Sequence, residues 1–211
     1  PEMTVRPRPT ASAGGGSARI PGVIPFGDGA LLVVLGDRVD ETLVRRVHAL
    51  VARIAAEAGP GVGSPVPGYA TVLVPIDPAR ADRATVAGRL ERWLADALAG
   101  DPPPDGEAPA IEIPVRYGGA DGPDLAEVAE RTGIPAAGVA ELHASVAYRV
   151  FLLGFSPGFG YLGPLPAALE LPRRAEPRVR VPAGSVAIAG RQTAVYPSAT
   201  AGGWHLIGRT D

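Results

Sequence analysis

The sequence predicts an α+β protein, in which a small N-terminal α+β domain over residues 21–100 precedes a domain of short β-strands over residues 110–211. Three observations carry this prediction. Apolar residues recur at helical spacing in two long segments of the first half. Short β-branched runs separated by proline and glycine dominate the second half, a pattern typical of a small β-barrel or sandwich. The segment GDPPPDGEAP between the halves predicts a proline-rich linker over residues 101–109.

The elements of the first half follow in order. Residues 30–36, ALLVVLG, predict a strand, and Asp40 is placed to cap a helix that runs to about Ala58. Residues 69–76, YATVLVPI, predict a second strand. Residues 82–99 then repeat the helical pattern. The first twenty residues lack an apolar core, so they predict a flexible tail and not a secretory signal.

The second half begins with a predicted strand over residues 111–116 and two short helices, near residues 124–131 and 135–145. Residues 146–153 predict a further strand. Helical periodicity then disappears. The remaining predicted strands are short and separated by proline and glycine turns, at residues 178–181, 185–188, 192–196 and 204–207.

The composition excludes several classes of function. Lys+Arg 20 against Asp+Glu 22 gives a net charge of −2, so neither nucleic acid nor an anionic membrane is expected as a partner. The chain has no cysteine, which excludes disulfides and thiolate chemistry and fits a cytoplasmic protein. All its basic residues are arginine, which excludes a Schiff-base lysine and the lysine of a P-loop. No histidine pair has metal-ligand spacing, so no metal site is predicted.

One loop matches a catalytic motif and a dinucleotide-binding motif, but it lacks the neighbouring backbone structure that either motif requires. Residues 154–158 match G-x-S-x-G, but Pro157 follows Ser156 and has no N–H for an oxyanion hole. Residues 158–163 match G-x-G-x-x-G, but the prolines at 164 and 166 prevent the helix that would bind a pyrophosphate. The aromatic and glycine content of this loop instead predicts a pocket wall or subunit interface. A well-packed corner of the barrel is the alternative.

Polar residues on the following strands supply candidate binding groups. Arg178 and Arg180 fall on one face of a predicted strand, where two guanidinium groups would suit a carboxylate or phosphate. A solvated charged face is the alternative. Gln192 and Tyr196 share a face of the next strand, with Ala194 between them, and both can donate and accept hydrogen bonds.

Several long segments of the chain carry a family resemblance. IPVRYGGADGPDLAEVA, GFSPGFGYLG, PRVRVPAGSVAIAGRQTAVYP and GGWHLIGRT occur in this order in the second half, and PFGDGALLV and VPGYATVLVPIDP occur in the first. On these segments the sequence resembles the family that comprises the B subunit of 5-oxoprolinase, allophanate hydrolase subunit 1 and KipI. The resemblance covers all but the tail and the linker.

The resemblance implies a cyclophilin-like β-barrel for residues 110–211. It also implies a protein that is inactive alone and works with a second barrel subunit, related to the carboxyltransferase part of urea carboxylase, and with a third subunit. Such an assembly uses ATP to open 5-oxo-L-proline to L-glutamate. An allophanate hydrolase-type role, or a KipI-type regulator that inhibits a histidine kinase, is the alternative. Family members run on beyond IGRT, whereas this sequence ends at Asp211, which predicts a truncated domain or a barrel completed otherwise.

The resemblance and the polar residues locate the expected site in the second half. Arg178 and Arg180 are predicted to hold an anionic group, and Gln192 and Tyr196 to orient the substrate. ATP is expected as a co-substrate, with much of its phosphate chemistry supplied by a partner protein. The predicted substrate-binding residues are Phe155, Ser156, Gly158, Phe159, Tyr161, Ser185, Thr193, Trp204 and Arg209.

Overall fold

The computed structural model describes residues 20–102, 104 and 109–211. These residues form two halves, each built around its own antiparallel sheet. The predicted tail, apart from Ile20, lies outside the described residues, as do most of the linker residues from 103 to 108. No helix in the described part of the chain is long and apolar enough to cross a membrane.

The N-terminal half is a four-stranded sheet with two long helices packed against it. The strands are β1 (Gly22–Pro25), β2 (Ala30–Val34), β3 (Val66–Pro67) and β4 (Thr71–Pro75), in the spatial order β1-β2-β4-β3. The helices are α1 (Glu41–Glu57) and α2 (Arg83–Ala99). Asp40 caps α1 by accepting a hydrogen bond from Leu43 N at 3.1 Å, and Asp82 caps α2 in the same way. Both predicted helices are therefore confirmed.

The core of this half forms where alternate strand residues meet one face of each helix. Val33 and Val72 are fully buried on the sheet, and Val47 and Leu90 face them from the helices. Trp93 on α2 completes the core and is covered by the guanidinium groups of two arginines. This packing follows from the period of two in the strands and of about 3.6 in the helices.

The C-terminal half holds a six-stranded antiparallel sheet and a separate two-stranded ribbon. The sheet contains β5 (Arg116–Tyr117), β6 (Arg149–Leu153), β7 (Gly160–Gly163), β9 (Ser185–Ala189), β10 (Gln192–Val195) and β12 (His205–Arg209), in the order β5-β12-β9-β10-β7-β6. The ribbon pairs β8 (Arg178–Val181) with β11 (Thr200–Gly202). Helices α3 (Leu125–Thr132) and α4 (Ala136–Ala144) and a 3-10 turn (Ala167–Leu169) complete this half.

The two faces of the six-stranded sheet differ in the size of their side chains. One face carries the branched residues Val186, Ile188 and Ile207 and packs under α3 and α4. The other carries Ala187 and Ala194, among other small residues, and is covered by aromatic rings. Residues that are paired across neighbouring strands share a face. Gln192 pairs with Ala189 and therefore lies on the aromatic face, whereas Thr193 pairs with Ile188 and lies on the helix face.

The α+β class is confirmed, with differences in detail. The six-stranded sheet of the described residues is open, with β5 and β6 as its edges, and does not close into a barrel. The strand predicted over residues 111–116 is wrong for all but its last residue, since Pro114 interrupts it and pairing begins at Arg116. The short strands β1, β3, β7 and β11 were not predicted, because each has only two to four residues.

Candidate functional site

The loop between β6 and β7 holds an aromatic side chain on a strained backbone. Ser156 N donates to Gly154 O at 2.7 Å, which closes a three-residue turn around Phe155. Phe155 has a φ of 64°, the left-handed region that a bulky residue rarely adopts. Its side chain is 60% exposed. Strain of this kind persists where surrounding structure enforces it, and it concentrates at functional sites.

The aromatic residues predicted as pocket walls do converge, but they pack against one another. The ring of Phe159 lies 5.0 Å from that of Tyr161, 5.1 Å from Tyr196 and 5.9 Å from Trp204, all edge to face. The ring of Phe155 lies 5.2 Å from the ring of Phe159. Phe159, Tyr196 and Trp204 are almost fully buried, so these rings fill the space above the small residues of the sheet.

A cleft lies elsewhere, where the two halves meet. It has a volume of about 210 Å³. Its lining residues are Val39, Asp40, Glu41, Phe151, Pro164 and Arg191. None of the predicted site residues lines it. Close by, His48 Nε2 is 2.7 Å from Phe151 O, a contact that joins α1 to β6 across the two halves.

Tyr69 brings a further aromatic group from the N-terminal half to the edge of the aromatic face. Its ring lies 5.8 Å from the ring of Tyr161, edge to face. Burial raises the pKa of Tyr69 well above its usual value, while Gln192 and the positive charge of Arg173 act in the opposite direction. The hydroxyl is buried, yet it meets no partner at hydrogen-bond distance and angle in the described part of the chain. Tyr69, Tyr161 and Gln192 are called the Tyr69 cluster below.

Gln192 and Tyr196 share a face, as predicted, but Gln192 is half-exposed and Tyr196 is buried. Gln192 pairs with Ala189 and is half-exposed at the Tyr69 cluster. Tyr196 comes four residues later, about 13 Å along the strand, and lies beside Ser185. Its hydroxyl packs so closely on Gly202 that a Cβ at that position would overlap it. Burial raises the pKa of Tyr196, so this phenol is neutral and fixed in the core.

Arg178 is held by an acidic side chain of the same chain. The buried carboxylate of Asp124 accepts from Arg178 Nη2 at 2.6 Å and from Arg174 Nη1 at 3.1 Å through the same oxygen. Its other oxygen accepts from Leu206 N at 2.7 Å. Arg174 also donates to Glu127 at 2.9 Å. The Arg178 guanidinium therefore takes part in a buried ion network that fixes α3 to β8 and β12.

The structure does not bring Arg178 and Arg180 together as the free pair that the sequence predicts. Thr200 pairs with Val181, and Gly202 pairs with Arg178. The four residues from Arg178 to Val181 on β8 therefore lie opposite only three residues on β11. This bulge breaks the alternation of side chains. Val179 is 93% exposed as a result. Arg180 is exposed too, while Arg178 is turned toward Asp124.

Thr193 lies on the opposite face of the sheet from Gln192, within a buried network of hydrogen bonds. Its hydroxyl donates to Ala187 O at 3.1 Å and lies 2.8 Å from His143 Nε2. His143 Nδ1 is 2.7 Å from the hydroxyl of Tyr117. Burial lowers the pKa of His143 to about 4. The enclosed ring is therefore neutral.

The other predicted residues are dispersed. Ser185 and Arg209 pair with each other on β9 and β12, at the end of the sheet away from Gln192. Ser156 has a buried hydroxyl without a hydrogen-bond partner among the described residues. Gly158 has a φ of 80°, which a glycine adopts without strain, and packs against Pro197. No group of three or more acidic or histidine side chains in the described ranges is arranged to hold a metal ion.

Sequence reasoning missed the position of Tyr69 and the pairing of Asp124. Tyr69 was absorbed into a predicted strand, although it precedes β4 and turns toward the other half. The sequence predicts Asp124 at the start of a helix, and the structure confirms that position. Nothing local shows that it also pairs with arginines about fifty residues away in sequence.

Comparison with known proteins identifies relatives of closely similar length. The family described as carboxyltransferase domain, subdomain C and D, matches residues 21–211. The B subunit of 5-oxoprolinase from Escherichia coli O157:H7 is 46% identical over 185 residues, which cover 88% of this chain and 82% of the relative. The corresponding 5-oxoprolinase protein from Bacillus subtilis (strain 168), also named as the B subunit, is 38% identical over 193 residues, with 88% and 80% covered.

Two solved structures show the same fold within longer chains. TTHA0988 is 41% identical with a TM-score of 0.71, and the match covers 86% of this chain but 35% of that one. The Kluyveromyces lactis urea amidolyase has the same TM-score at 17% identity, covering 89% of this chain and 13% of that one, and shows the fold alone. The chain thus spans about a third of TTHA0988. By its match over residues 21–211 and its identity to these relatives, the chain belongs to the carboxyltransferase subdomain C and D family and, within it, to the B-subunit proteins of 5-oxoprolinase.

Proposed function

We propose that this chain is the B subunit of an enzyme that opens 5-oxo-L-proline to L-glutamate at the expense of ATP. The observation that carries the proposal is the identity of 46% and 38% to two proteins named as the B subunit of 5-oxoprolinase, each matched over at least four-fifths of its length. A regulator that binds a histidine kinase is not favoured by these relatives. An allophanate hydrolase-type role is the remaining alternative.

The chemistry of the reaction explains why ATP is required and what this chain contributes. Transfer of the γ-phosphoryl group to the lactam oxygen makes the ring carbon electrophilic. Water then adds to that carbon, and the C–N bond breaks as the nitrogen takes up a proton, which gives ADP and γ-glutamyl phosphate. A second water hydrolyses this acyl phosphate to glutamate and phosphate. The chain has no lysine and no P-loop. We therefore place the nucleotide on a partner protein, and the substrate at the Tyr69 cluster of this chain.

The Tyr69 cluster supports this placement because it contains hydrogen-bonding groups that are not used within the chain. The Tyr69 hydroxyl has no partner among the described residues, and Gln192 is half-exposed beside it. A lactam offers one N–H donor and one C=O acceptor, which an amide side chain and a neutral phenol can satisfy. Both halves of the chain contribute, so an intact chain is needed to form the site.

The proposed partners are a second, larger barrel protein (the C subunit of 5-oxoprolinase, or allophanate hydrolase subunit 2) and a third protein (the A subunit of 5-oxoprolinase). Support comes from the names of the relatives, which mark them as parts of a larger assembly, and from TTHA0988, in which the matched segment makes up only 35% of a longer chain. The exposed ring of Phe155 is the kind of aromatic anchor that protein interfaces use.

Reconstitution tests the proposed function. This chain would be combined with the proteins encoded beside it, and glutamate release from 5-oxo-L-proline and ATP would be measured with each protein omitted in turn. We expect glutamate only when all of them are present. Glutamate release that persists without this chain would contradict the proposal. So would a verified complex that releases no glutamate from 5-oxo-L-proline but hydrolyses allophanate.

A further inference from the structure

The cleft between the two halves has walls that contacts from both sides hold in place. His48 Nε2 on α1 lies 2.7 Å from Phe151 O on β6, which joins the halves at the cleft. Phe151 is buried, and its ring packs edge to face on that of Tyr69 at 6.3 Å, which fixes its position in the wall. Val39 and Pro164 add apolar surface from the N-terminal and the C-terminal half. The cleft is therefore formed by the folding of the whole chain.

Charged residues of opposite sign line the cleft from different halves. Asp40 and Glu41 lie at the N-terminus of α1, in the N-terminal half. Arg191 lies in the turn between β9 and β10, in the C-terminal half. The positive end of α1 offsets only about half a charge, so two carboxylates leave the N-terminal side negative. A molecule in the cleft therefore meets negative groups from one half and a positive group from the other.

The backbone of Arg191 is fixed, but the fold makes little use of its guanidinium. Leu165 N donates to Arg191 O at 2.8 Å. Gly190, just before it, has a φ of 54°, which suits the first position of a two-residue hairpin turn. Arg191 Nε lies 3.9 Å from the carboxylate of Glu170, too far for a hydrogen bond, and both side chains are about half-exposed. Such a pair contributes little to stability, so a ligand can take its place.

The carboxylates of the cleft also retain acceptor oxygens. Glu41 Oε1 lies 3.8 Å from Arg149 Nε, again too far for a hydrogen bond, and both side chains are exposed by a third or more. Asp40 uses one oxygen to cap α1 by accepting from Leu43 N at 3.1 Å. Its second oxygen is not needed for the cap. A cationic group in the cleft can therefore find acceptors from both residues.

The volume of the cleft restricts its ligand to a small molecule. A cavity of about 150 Å³ holds benzene, so a cleft of about 210 Å³ suits roughly eight to ten non-hydrogen atoms. An α-amino acid with a small apolar side chain has this size. It also carries one ammonium group, one carboxylate and no net charge.

We propose that the cleft binds such a zwitterionic amino acid. Arg191 binds the carboxylate through N–H donors, and Glu41 and Asp40 accept from the ammonium group. The side chain of the amino acid lies against the apolar wall. The inference goes beyond the proposed function, because 5-oxo-L-proline has no ammonium group and L-glutamate brings a second carboxylate to the acidic side. The cleft is thus a second ligand site, separated from Tyr69 by the ring of Phe151.

Binding of three compounds to the full chain tests the inference. L-Valine has the required groups, 3-methylbutanoate lacks the ammonium group, and isobutylamine lacks the carboxylate. Each compound is titrated into the chain, and backbone amide shifts are followed by NMR. We expect L-valine to shift the amides of Glu41 and Arg191. It should bind at least tenfold more tightly than either analogue, because each analogue loses hydrogen bonds to a charged group.

Two variants assign the charges. Arg191→Gln should weaken the binding of L-valine about tenfold without weakening that of isobutylamine. Glu41→Gln should weaken the binding of L-valine and isobutylamine without weakening that of 3-methylbutanoate. Glu57→Gln, at the other end of α1, and Arg80→Gln, an exposed arginine outside the cleft, are the matched controls and should bind as wild type does. Melting curves verify that each variant folds.

Equal binding of the three compounds would overturn the proposal, as would an Arg191→Gln variant that keeps the preference of wild type. The absence of any L-valine shift at the cleft would overturn it too. The titration needs neither ATP nor a partner, so it is independent of the proposed function. If L-valine binds at the cleft but no assembly releases glutamate, only the proposed function fails. If glutamate is released but L-valine does not bind, only this inference fails.

Discussion

His143 Nε2 lies 2.8 Å from the hydroxyl oxygen of Thr193, and this buried contact links α4 to the central strand β10. The Thr193 hydroxyl already donates to Ala187 O, so the imidazole must donate through Nε2. Nδ1 is then the acceptor for the phenol of Tyr117. The hydrogen-bond network thus assigns a neutral ring with its proton on Nε2. A second proton on Nδ1 would leave the Tyr117 hydroxyl without its acceptor.

The first prediction concerns stability against pH. Burial lowers the pKa of His143 to about 4 in the folded chain, against its ordinary value of 6.5 in the unfolded chain. The unfolded state therefore binds a proton first as the pH falls. The contribution of His143 to stability is fully present above pH 6.5 and is lost between pH 6.5 and about 4, to a total of about 3 kcal/mol.

Urea unfolding at a series of pH values measures this loss. His143→Gln is the matched variant, because it keeps a donor and an acceptor but does not titrate in this range. We expect the wild-type free energy of unfolding to fall with pH more steeply than that of the variant between pH 6.5 and 4. Parallel curves for the two proteins would show that His143 is not the group responsible.

The second prediction concerns the buried carboxylate of Asp124. Asp124→Asn removes the charge that compensates Arg178 and that, together with Glu127, compensates Arg174, so two half-buried guanidinium groups face a neutral amide. We expect the free energy of unfolding to fall by about 3 kcal/mol, the effect of breaking a buried ion pair from one side.

The exposed pair between Arg53 and Asp96 provides the comparison for Asp124. Both side chains are solvent-accessible, so screening by water makes such a pair weak. Asp96→Asn should leave the urea midpoint unchanged. Equal destabilisation by the two substitutions would mean that burial of Asp124 has no special effect.

The third prediction concerns the strained turn at Phe155. Phe155→Gly removes both the ring and the steric cost of the positive φ, whereas Phe155→Ala removes the ring alone. We expect the glycine variant to be the more stable of the two by about 1 kcal/mol. Thermal unfolding of both variants gives the difference. An alanine variant as stable as the glycine variant would show that this turn stores no strain.

Short sequence patterns predicted the helices and caps that depend on residues close together in the chain. The caps of α1 and α2 follow from Asp40 and Asp82, which bond to backbone groups three residues away. Those patterns could not show the β-bulge opposite Thr200, which separates Arg178 from Arg180. Nor could they show that Arg178 pairs with Asp124, because that contact depends on how α3 packs on the sheet.

The candidate site shows the same division between local and long-range information. The shared face of Gln192 and Tyr196 follows from the period of a strand, and it was predicted. Tyr69 joins Gln192 only because the N-terminal half packs against β7. The proposed function rests on the ordered segments shared with a family, and the proposed position of the substrate rests on a buried hydroxyl that packing leaves without a partner among the described residues.

The last prediction compares two tyrosines whose hydroxyls differ in bonding. The Tyr69 hydroxyl is buried without a hydrogen-bond partner among the described residues, whereas the Tyr148 hydroxyl donates to His143 O at 2.9 Å. Removing an unpartnered hydroxyl costs no intramolecular hydrogen bond, so Tyr69→Phe should leave the melting temperature unchanged or raise it. Tyr148→Phe should lower the free energy of unfolding by about 1 kcal/mol.

The same Tyr69→Phe variant tests whether the hydroxyl contacts the substrate. If it contacts the lactam, the variant should lower kcat/KM for 5-oxo-L-proline about tenfold. A stable Tyr69→Phe enzyme with full activity would remove Tyr69 from the substrate site, whereas a stable enzyme with impaired turnover would show that this buried hydroxyl is kept for the substrate and not for the fold.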